Sequence, residues 1–457
     1  MFEQTEKWLM HSQNIAVIGS GISGLSSSWL LSKNHKVSLF EANAKVGGHT
    51  NTATIDISGQ PVAVDTGFIC FNSATYPNLV ALFDHLKVPV HNTDMSFAAS
   101  LYAGAYEYCG GTLLGMVAQP SNIFSIRHWR MIRDILRFFK EAPASIDRLD
   151  DDTTLMEYLQ RERYSTEFID WHLMPMAAAI WSSRADDMTG YPAKSFIRFF
   201  QNHALLQVSG RPLWGTVKGG SQVYVDKVLA DANIDVRVSS PARKIERTPM
   251  GVRIHTPDGP SELFDQVVIA SHADDALSML DTPSAAEQSL LGAFGYAKNH
   301  AVLHQDRRLM PKRKATWASW NYVDFETDRS LPLSERDLCV SYWMNSLQSL
   351  TTKEDVFVTL NPPQDMTIEN VHGRYDYSHP IFDAAAMQAQ REIWSIQGEN
   401  RTWYCGAHFG SGFHEDGLQS GLAVAEQLGG ERRPWNVADE SGRIHVHAPA
   451  ELREAAE

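Results

Sequence analysis

The chain has 457 residues, a formal net charge of −14 at pH 7 and a hydrophobic content of 43%. This length exceeds one ordinary core and predicts two domains, and the acidic balance excludes nucleic acid as a general partner. The four cysteines, at 70, 109, 339 and 405, show no CxxC spacing, which predicts free thiols in a reducing compartment and no metal site.

The N-terminus and the hydropathy predict a cytoplasmic protein. Residues 1–14 are polar and include Glu3 and Glu6, unlike the apolar core of a signal peptide. No segment approaches the roughly eighteen uninterrupted apolar residues of a spanning helix. We therefore expect a soluble chain.

The stretch that follows residue 14 predicts a dinucleotide site. A short apolar run at 15–18, typical of a buried parallel strand, leads into a glycine-rich turn and a helix. Gly19 permits the turn, Gly21 lets a pyrophosphate approach, and Gly24 lets the helix pack on the strand. The free N–H groups at the helix start favour phosphate.

A second strand at 36–40 ends in an acid, Glu41, at the separation typical of a ribose-binding carboxylate. Together these two strands and the turn predict the cofactor contacts Gly19, Ser20, Gly21, Ile22, Ser23, Gly24, Glu41 and Ala42.

A glycine pair shortly after the acid indicates which dinucleotide binds. The run Gly47, Gly48, His49, Thr50 resembles the extended FAD fingerprint of the flavin-containing amine oxidase superfamily. An arginine usually follows the pair in that superfamily, so His49 leaves a direct charge on the pyrophosphate in question. We predict FAD, with all four residues as contacts.

The resemblance continues in order along the chain. It implies that Gly67, Phe68 and Ile69 pass under the flavin ring and that Ala242 contacts the adenine. It further implies a closing motif in which a helix N-terminus faces the pyrimidine end of the flavin and favours reduction. Its predicted contacts are Gly406, Gly412, Phe413, His414, Glu415 and Gly417. The crowding of His414, Glu415 and Asp416 at a helix start favours capping over metal binding.

The predicted fold class is α/β (α+β), with a Rossmann-like FAD-binding domain of the glutathione-reductase/amine-oxidase type and an interleaved substrate domain of helices and a mixed or antiparallel sheet. The FAD domain is expected at 1–95, 205–275 and 397–430. The substrate domain is expected at 96–204 and 276–396, and a loosely held tail at 431–457.

Two basic clusters stand out in the substrate domain. In 126–140, five cations recur at helical spacing while Trp129, Ile132, Leu136 and Phe139 line another face. Such a helix is typical of a peripheral membrane contact at the inner face of the membrane, or of a surface helix whose apolar face is in the core. The second cluster, 307–314, is either a further lipid contact or a solvated loop.

Phrases at 303–311, 318–322, 342–345 and 412–417 resemble one bacterial branch of FAD-binding oxidoreductases associated with cyclopropane-fatty-acid synthases. Members resemble the N-terminal oxidase domain of plant cyclopropane-fatty-acid synthases. The resemblance implies a lipid or fatty-acyl substrate and a cyclopropane-synthase-like methyltransferase as partner. Phe413 replaces a tyrosine of monoamine oxidases, and no cysteine has their flavin-linking setting, so we expect non-covalent FAD.

The expected reaction moves a hydride from a saturated or allylic carbon to flavin N5 and leaves a double bond. Related enzymes place a lysine near N5, which by alignment falls close to His300, so His300, His304 and Lys298 are the candidate catalytic residues. Histidine suits proton transfer near neutrality, although a structural role stays open for each. The aromatic residues Trp317, Trp320, Tyr342 and Trp343 line either the pocket or the core.

Three functions remain open on the sequence: an acyl-chain dehydrogenase or desaturase, a soluble flavin amine oxidase, and a non-catalytic FAD-binding accessory subunit of a fatty-acid methyltransferase.

Overall fold

The computed structural model describes residues 12–447 apart from 151, 183–187, 204, 208–209, 211, 333–335 and 439. In chain order its strands are β1 (Asn14–Ile18), β2 (Lys36–Phe40), β3 (Thr52–Ile57), β4 (Gln60–Asp65), β5 (Cys70–Asn72), β6 (Val90–Thr93), β7 (Phe97–Leu101), β8 (Tyr106–Cys109), β9 (Trp214–Val217), β10 (Ile234–Arg237), β11 (Lys244–Thr248), β12 (Gly251–His255), β13 (Glu262–Phe264), β14 (Gln266–Ile269), β15 (Gly295–His304), β16 (Trp320–Val323), β17 (Val340–Trp343), β18 (Phe357–Leu360), β19 (Val371–Ile381) and β20 (Thr402–Tyr404).

The helices of the same residues are α1 (Ile22–Leu31), α2 (Pro77–His85), α3 (Leu113–Met116), α4 (Ile126–Ser145), α5 (Leu155–Arg161), α6 (Thr166–Phe168), α7 (Met174–Trp181), α8 (Ala193–Asn202), α9 (Gln222–Asp231), α10 (Ala273–Met279), α11 (Ala285–Leu291), α12 (Met344–Leu347), α13 (Ala384–Glu392) and α14 (His414–Gln427). A π-helical turn, Ile169–Leu173, joins α6 to α7. None of these described helices is long and apolar enough to cross a membrane.

A five-stranded parallel sheet, in the order β10-β2-β1-β14-β20, forms the centre of one of the two hydrophobic cores. The central strand β1 is almost entirely buried because both faces of a parallel sheet are covered. Helix α1 covers one face and packs against α14, the helix of the closing motif. The Rossmann-like α/β prediction is confirmed.

A second, seven-stranded sheet has the order β19-β15-β18-β17-β16-β7-β8. Its strands are antiparallel except for the pair β16 and β7, which run parallel. The mixed sheet was predicted, but its edge strand β19 was not, because polar side chains such as His372, Arg374 and Asp376 interrupt its hydrophobic pattern. Long exposed edges tolerate such polar residues.

Two hydrophobic cores correspond to the two sheets. One core is built around β1, β2, β14 and the helices α1 and α14. The other joins the seven-stranded sheet to the helices α4, α5, α7 and α8. The domain boundaries given above remain a prediction, although the two cores agree with a division into two parts.

The segment that follows α14 is held more firmly than its polar composition predicts. Arg433 is 2% exposed and forms an ion pair with Glu426, and Trp435 stacks on Trp29 at a centroid distance of 5.8 Å. Arg443 pairs with Asp416 at 2.7 Å. Tertiary partners, which composition does not reveal, anchor this segment.

Candidate active site

One cavity of about 1720 Å³ runs from the end of the parallel sheet into the helical part. It exceeds the roughly 300–1,000 Å³ of ordinary ligand pockets, so it has room for two ligands side by side. All of the predicted cofactor contacts line it except Gly24, Gly47, Glu415 and Gly417.

The turn after β1 forms a cradle at one end of this cavity. Gly19 has a φ of +99°, which favours glycine, and a Cβ at Gly24 would lie 1.9 Å from the Gly19 carbonyl oxygen. A Cβ at Gly21 would meet nothing within 4 Å, although Gly21 lines the cavity. The turn is therefore tight on its protein side and open on the side where a pyrophosphate would lie.

The acid at the end of β2 is already oriented. Glu41 is buried, and its carboxylate accepts hydrogen bonds from the backbone N–H of Ser20 at 3.1 Å and of Asn43 at 2.8 Å. The side chains of Ser20 and Asn43 donate two more. These two donors rotate, so ribose hydroxyl groups can replace them.

The glycine pair lies against the phosphate turn. A Cβ at Gly48 would approach the Gly21 Cα to 3.0 Å, and the Gly47 N–H donates to the Ser20 hydroxyl at 3.1 Å. The ring of His49 lies 5.4 Å from His379. Burial, with further contributions from neighbouring histidines, lowers the pKa of His49 well below its usual value. The surroundings of His49 therefore favour its neutral form over the charge that an arginine would carry.

The segment 67–69, which is predicted to pass under the flavin ring, meets the closing motif at the cavity wall. A Cβ at Gly67 would lie 2.1 Å from the His49 carbonyl oxygen, and Phe68 stacks on His414 at 3.7 Å. His414 Nε2 also contacts the hydroxyl groups of Tyr224 at 2.7 Å and Thr50 at 3.1 Å. These contacts hold the start of α14 against the cavity wall.

The four predicted contacts outside the cavity have packing roles instead. Gly24 lets α1 lie against the turn at Gly19, Gly47 shapes its own turn, and a Cβ at Gly417 would lie 2.9 Å from Ile22 on α1. The Glu415 carboxylate accepts from the backbone N–H groups of Asn78 and Leu79, each at 3.0 Å, and so caps α2. The sequence motif cannot distinguish a residue that faces the ligand from one that supports it.

The candidate catalytic residues all lie outside the cavity. Lys298 and His300 are exposed on β15, where the His300 side chain is 72% exposed and pairs with Asp376. His304 is buried, bonded to the Thr359 hydroxyl at 2.7 Å and to the Asp306 N–H at 3.0 Å. The structure therefore gives no support to these three assignments. They relied on a sequence alignment of this strand, and neighbouring residues of a strand point to opposite faces, so a small alignment error selects the wrong side chains.

The buried residue between Lys298 and His300 is Asn299, which was not predicted and which supports the cavity wall without lining it. Its side chain contacts His379 Nδ1 at 2.9 Å and Asn361 at 2.7 Å. His379 lines the cavity, and burial lowers its pKa to about 4. The consecutive residues 375–380 of β19 all line the cavity, so strand alternation gives no signal that singles out His379.

Two of the four proposed pocket aromatics line the cavity. Trp320 and Tyr342, paired across β16 and β17, lie on its wall. Trp317 and Trp343 pack on each other at 5.5 Å away from it, because the residue after Tyr342 points to the opposite face of the sheet.

Among the described residues, one group of possible metal ligands comes together: His272, Asp274 and Asp275. Both acids lie in the first turn of α10, where carboxylates favour the helix dipole. The three side chains named above as a conceivable metal set are engaged elsewhere: His414 with Tyr224, Glu415 with α2, and Asp416 with Arg443.

A phosphate cradle, an oriented ribose acid and a helix start that converge on one chamber define a Rossmann-type FAD-binding protein. The chain belongs to the flavin-containing amine oxidoreductase family, because the sequence model of that family matches residues 22–429. Its cofactor is FAD.

Curated relatives come from Mycobacterium tuberculosis. The chain is 25% identical over 289 residues to a protein provisionally named flavin-containing monoamine oxidase AofH, in strains CDC 1551 and H37Rv. The match takes in 61% of this chain and 61% of the relative. The chain thus spans about three fifths of the length of the curated relatives it matches.

Solved structures with a similar fold have varied activities. A fatty acid isomerase from P. acnes superimposes with a TM-score of 0.62 at 14% identity, covering 91% of this chain and 98% of its own. Putrescine oxidase bound to putrescine gives 0.63 at 13% identity, with coverages of 91% and 99%. Cyclohexylamine oxidase from Brevibacterium oxydans gives 0.62 at 15%, also with 91% and 99%. At these identities the likeness establishes the fold.

Proposed function

We propose that the protein is an FAD-dependent oxidoreductase that dehydrogenates an acyl chain of a membrane lipid and leaves a carbon–carbon double bond. The observation that carries the proposal is the character of the chamber beyond the cofactor cradle. That part of the cavity is lined mainly by apolar and aromatic side chains from α4, α7 and α8, including Ile132, Phe139, Met176, Ile180 and Phe199. A long hydrocarbon is the ligand that such a wall accommodates.

The distribution of acidic groups favours a neutral substrate. Within the described residues, the carboxylates that line the cavity are Glu41, at the ribose end, and Asp94, Asp275 and Asp376, which are exposed. A cationic amine that enters an apolar chamber requires a compensating anion. An alkyl chain requires none.

The aromatic cluster beside the closing motif supports the same substrate class. Phe413 stacks on Phe199 at 5.1 Å, and Phe199 lies 4.5 Å from Trp181. Phenylalanine presents no hydroxyl group to a substrate, so this wall offers packing in place of hydrogen bonding.

The protein's own part in the reaction is to bind the substrate, to orient the carbon that reacts and to exclude water from it. When bound, FAD would supply the acceptor for the hydride. The Nε2 of His203, which has no hydrogen-bond partner among the described residues and whose Nδ1–H donates to the Phe199 carbonyl oxygen, would accept the proton from the neighbouring carbon. The apolar side chains around Phe199 exclude water and hold the chain extended. Asn299, bonded to His379 Nδ1, fixes the ring of that histidine at the wall. The fold also occurs in a fatty acid isomerase, so it can accommodate an acyl chain.

FAD is proposed to be held without a covalent bond. Among the cysteines only Cys70 lines the cavity. Its sulfur packs against the Met95 sulfur at 3.4 Å, and burial raises its pKa to about 12. A thiol with that pKa forms little thiolate near neutrality. Acid precipitation of the protein is expected to release all of the flavin into the supernatant.

The test of the function is anaerobic reduction of the bound flavin. The purified holoprotein is mixed with acyl chains dispersed in detergent, with saturated, unsaturated and methyl-branched chains tried separately. Loss of the oxidised flavin absorbance with one chain class, and a new double bond in the recovered lipid, is the expected result. Phe199→Asp, which places a carboxylate on the apolar wall, should slow this reduction by at least about tenfold.

A second candidate, a flavin amine oxidase, is favoured by the 25% identity to the mycobacterial relative. Reduction by primary amines but by no acyl chain would replace the proposal with that function. Reduction by neither, together with tight binding to a cyclopropane-synthase-like methyltransferase, would indicate the accessory role.

A further inference from the structure

Exposed apolar side chains concentrate on α3, the 3₁₀ turn Pro120–Phe124, α4 and Leu213, and three of them line the cavity. Half of the large hydrophobic residues that are exposed among the described residues belong to this one region: Leu114, Ile123, Phe124, Ile126, Trp129, Leu136 and Leu213. We call them the apolar rim. Phe124 is 87% exposed and Ile126 is 78% exposed, values at which a phenylalanine or isoleucine gains nothing from the fold.

The rim is continuous with the cavity. Trp129, Leu136 and Leu213 line the cavity and are also exposed at the surface. The Trp129 indole N–H donates to the Ile123 carbonyl oxygen at 2.9 Å, which joins α4 to the 3₁₀ turn Pro120–Phe124. The exposed apolar surface is thus the entrance through which an acyl chain would reach the chamber.

Helix α4 presents three faces. His128, Met131, Ile135 and Phe138 are buried in the core. Trp129, Ile132, Leu136 and Phe139 line the cavity mouth. The third face is cationic, with Arg130 and Arg133 at 47% and 66% side-chain exposure. Ile132 and Phe139 also pack against the core, so Trp129 and Leu136 are the members of the second apolar face that remain exposed.

The charges beside the rim are arranged with the cations outward. Arg127 and Arg130 pair with Glu167, and Arg133 pairs with Asp134. The two carboxylates are 7% and 0% exposed, so the surface presents the guanidinium groups while the acids lie beneath. In a chain of net charge −14, this face is the one that an anionic surface attracts.

The other basic cluster contributes less. Arg307 pairs with Asp355, Arg308 with Asp306 at 2.6 Å, and Arg313 with Glu107 at 2.9 Å. These guanidinium groups also lie above buried acids, but no residue of 307–314 lines the cavity or belongs to the apolar rim, so the segment offers no apolar side chain to insert beside the charges.

We propose that the apolar rim inserts into an anionic lipid bilayer, with Arg130 and Arg133 at the head groups and the cavity mouth open to the acyl region. Exposed aromatic and aliphatic side chains with cations beside them match the interfacial zone of a membrane. This docking deepens the proposed function, on which it rests for its substrate, because it gives the source of the chain: a lipid that enters sideways from the membrane.

The test is co-sedimentation of the holoprotein with vesicles of neutral phosphatidylcholine and with vesicles that also contain anionic phosphatidylglycerol. Wild type should bind the anionic vesicles and lose binding at high salt. Phe124→Asp combined with Ile126→Asp should weaken binding by at least about tenfold, and Arg130→Gln with Arg133→Gln should weaken binding to anionic vesicles at low salt. Met250→Asp is the matched control, since Met250 is 74% exposed in the turn between β11 and β12, away from the rim.

Flavin content and thermal stability of each variant establish that it is folded. Wild type that binds neither vesicle, or a Phe124/Ile126 double variant that binds as wild type does, would overturn the docking. A dimer in solution that this double variant dissociates would assign the rim to a second copy of the chain, and a methyltransferase that binds through it would assign it to a protein. Both results would also overturn the docking.

The two proposals fail separately. Protein that binds vesicles but whose flavin no acyl chain reduces contradicts the function alone. Protein whose flavin detergent-dispersed chains reduce, but which ignores vesicles, contradicts the docking alone.

Discussion

Gly21 and Gly24 belong to the same glycine motif but have different surroundings. We therefore expect one to matter for FAD binding and the other for folding. A methyl group at Gly24 would collide with the Gly19 carbonyl oxygen, whereas a methyl group at Gly21 would project into open cavity. Gly21 has an ordinary φ of −64°, so alanine fits its backbone. The two positions serve the same motif through different physical constraints.

Gly21→Ala is therefore expected to leave the stability of the apoprotein within about 0.5 kcal/mol of wild type and to reduce FAD affinity by at least about tenfold, because the methyl group takes pyrophosphate space. Gly24→Ala should destabilise the apoprotein by about 3 kcal/mol. Urea unfolding of flavin-free protein and FAD titration measure the two effects. Equal loss of stability in both variants would contradict this division.

His304 makes the stability depend on pH. Burial lowers its pKa from 6.5 to about 4, and its Nδ1 accepts the Asp306 N–H while Nε2 contacts the Thr359 hydroxyl. The folded state thus holds it neutral. As the pH falls through 6.5, the unfolded state takes up the proton first, so unfolding becomes easier between pH 6.5 and about 4.

His304→Gln, which cannot be protonated, should flatten the fall in stability over that window by about 3 kcal/mol relative to wild type. The measurement is urea unfolding at half-unit steps from pH 7.5 to 4.5. The matched variant His300→Gln, on the exposed face of the same strand, should retain the wild-type slope. A His304→Gln slope identical to wild type would refute the assignment.

At the scale of elements, the closing motif joins two helices as well as bordering the cofactor. Glu415 is fully buried in the first turn of α14 and caps α2 through Asn78 and Leu79. Burial raises its pKa, and the hydrogen bonds that it accepts oppose that rise. The motif residue therefore serves helix packing.

Glu415→Ala should cost about 2–4 kcal/mol, because it leaves two buried N–H groups without an acceptor. Chemical denaturation is the measurement. Glu157→Ala, which removes a capping carboxylate from the exposed start of α5, is the comparison and should cost markedly less. A Glu415 variant of normal stability that lost only FAD would show that the carboxylate serves the cofactor instead.

Helix α4 illustrates what periodicity can and cannot decide. The spacing of its cations and apolar residues predicted an amphipathic helix correctly. It could not show that a different set, His128, Met131, Ile135 and Phe138, is buried in the core. Helical periodicity places residues on faces, but which face meets the core depends on neighbours distant in sequence.

At the scale of the whole molecule, the segment after α14 closes over the parallel-sheet core. The buried Arg433 guanidinium pairs with Glu426 and donates to the Asn78 side chain at 3.0 Å. Its neighbour Arg432 is 56% exposed and pairs with the same glutamate. The two arginines thus share one carboxylate, and one of them is buried while the other is exposed to solvent.

Arg433→Ala should destabilise the protein by about 3 kcal/mol, since it removes the buried partner of the Glu426 carboxylate and the donor to Asn78, and leaves only the exposed Arg432 beside that carboxylate. Arg432→Ala should cost about 0–1 kcal/mol, because solvent screens the exposed pair. Thermal and urea unfolding of both variants provide the comparison. An equally small loss of unfolding free energy in both variants would show that the segment adds little to the stability of the fold.

The sequence by itself determined the strands of the parallel sheet, the glycine turn after β1, the acid at the end of β2 and the FAD family, while the cofactor contacts of the turn and the acid stay predictions. These features are encoded locally, because turn geometry, strand burial and helix starts each leave a mark within a few residues of one another. The same locality explains why the closing motif was recognised although Glu415 and Gly417 support packing.

Only the tertiary structure decided which residues line the cavity or support its wall. The inward position on β15 is Asn299, flanked by the outward Lys298 and His300, and an alignment error of one residue reverses the face. His379 enters the wall from an edge strand, and the apolar rim forms where α4 meets a distant loop at Leu213. Such surfaces depend on contacts between segments far apart in the chain, which no local pattern records.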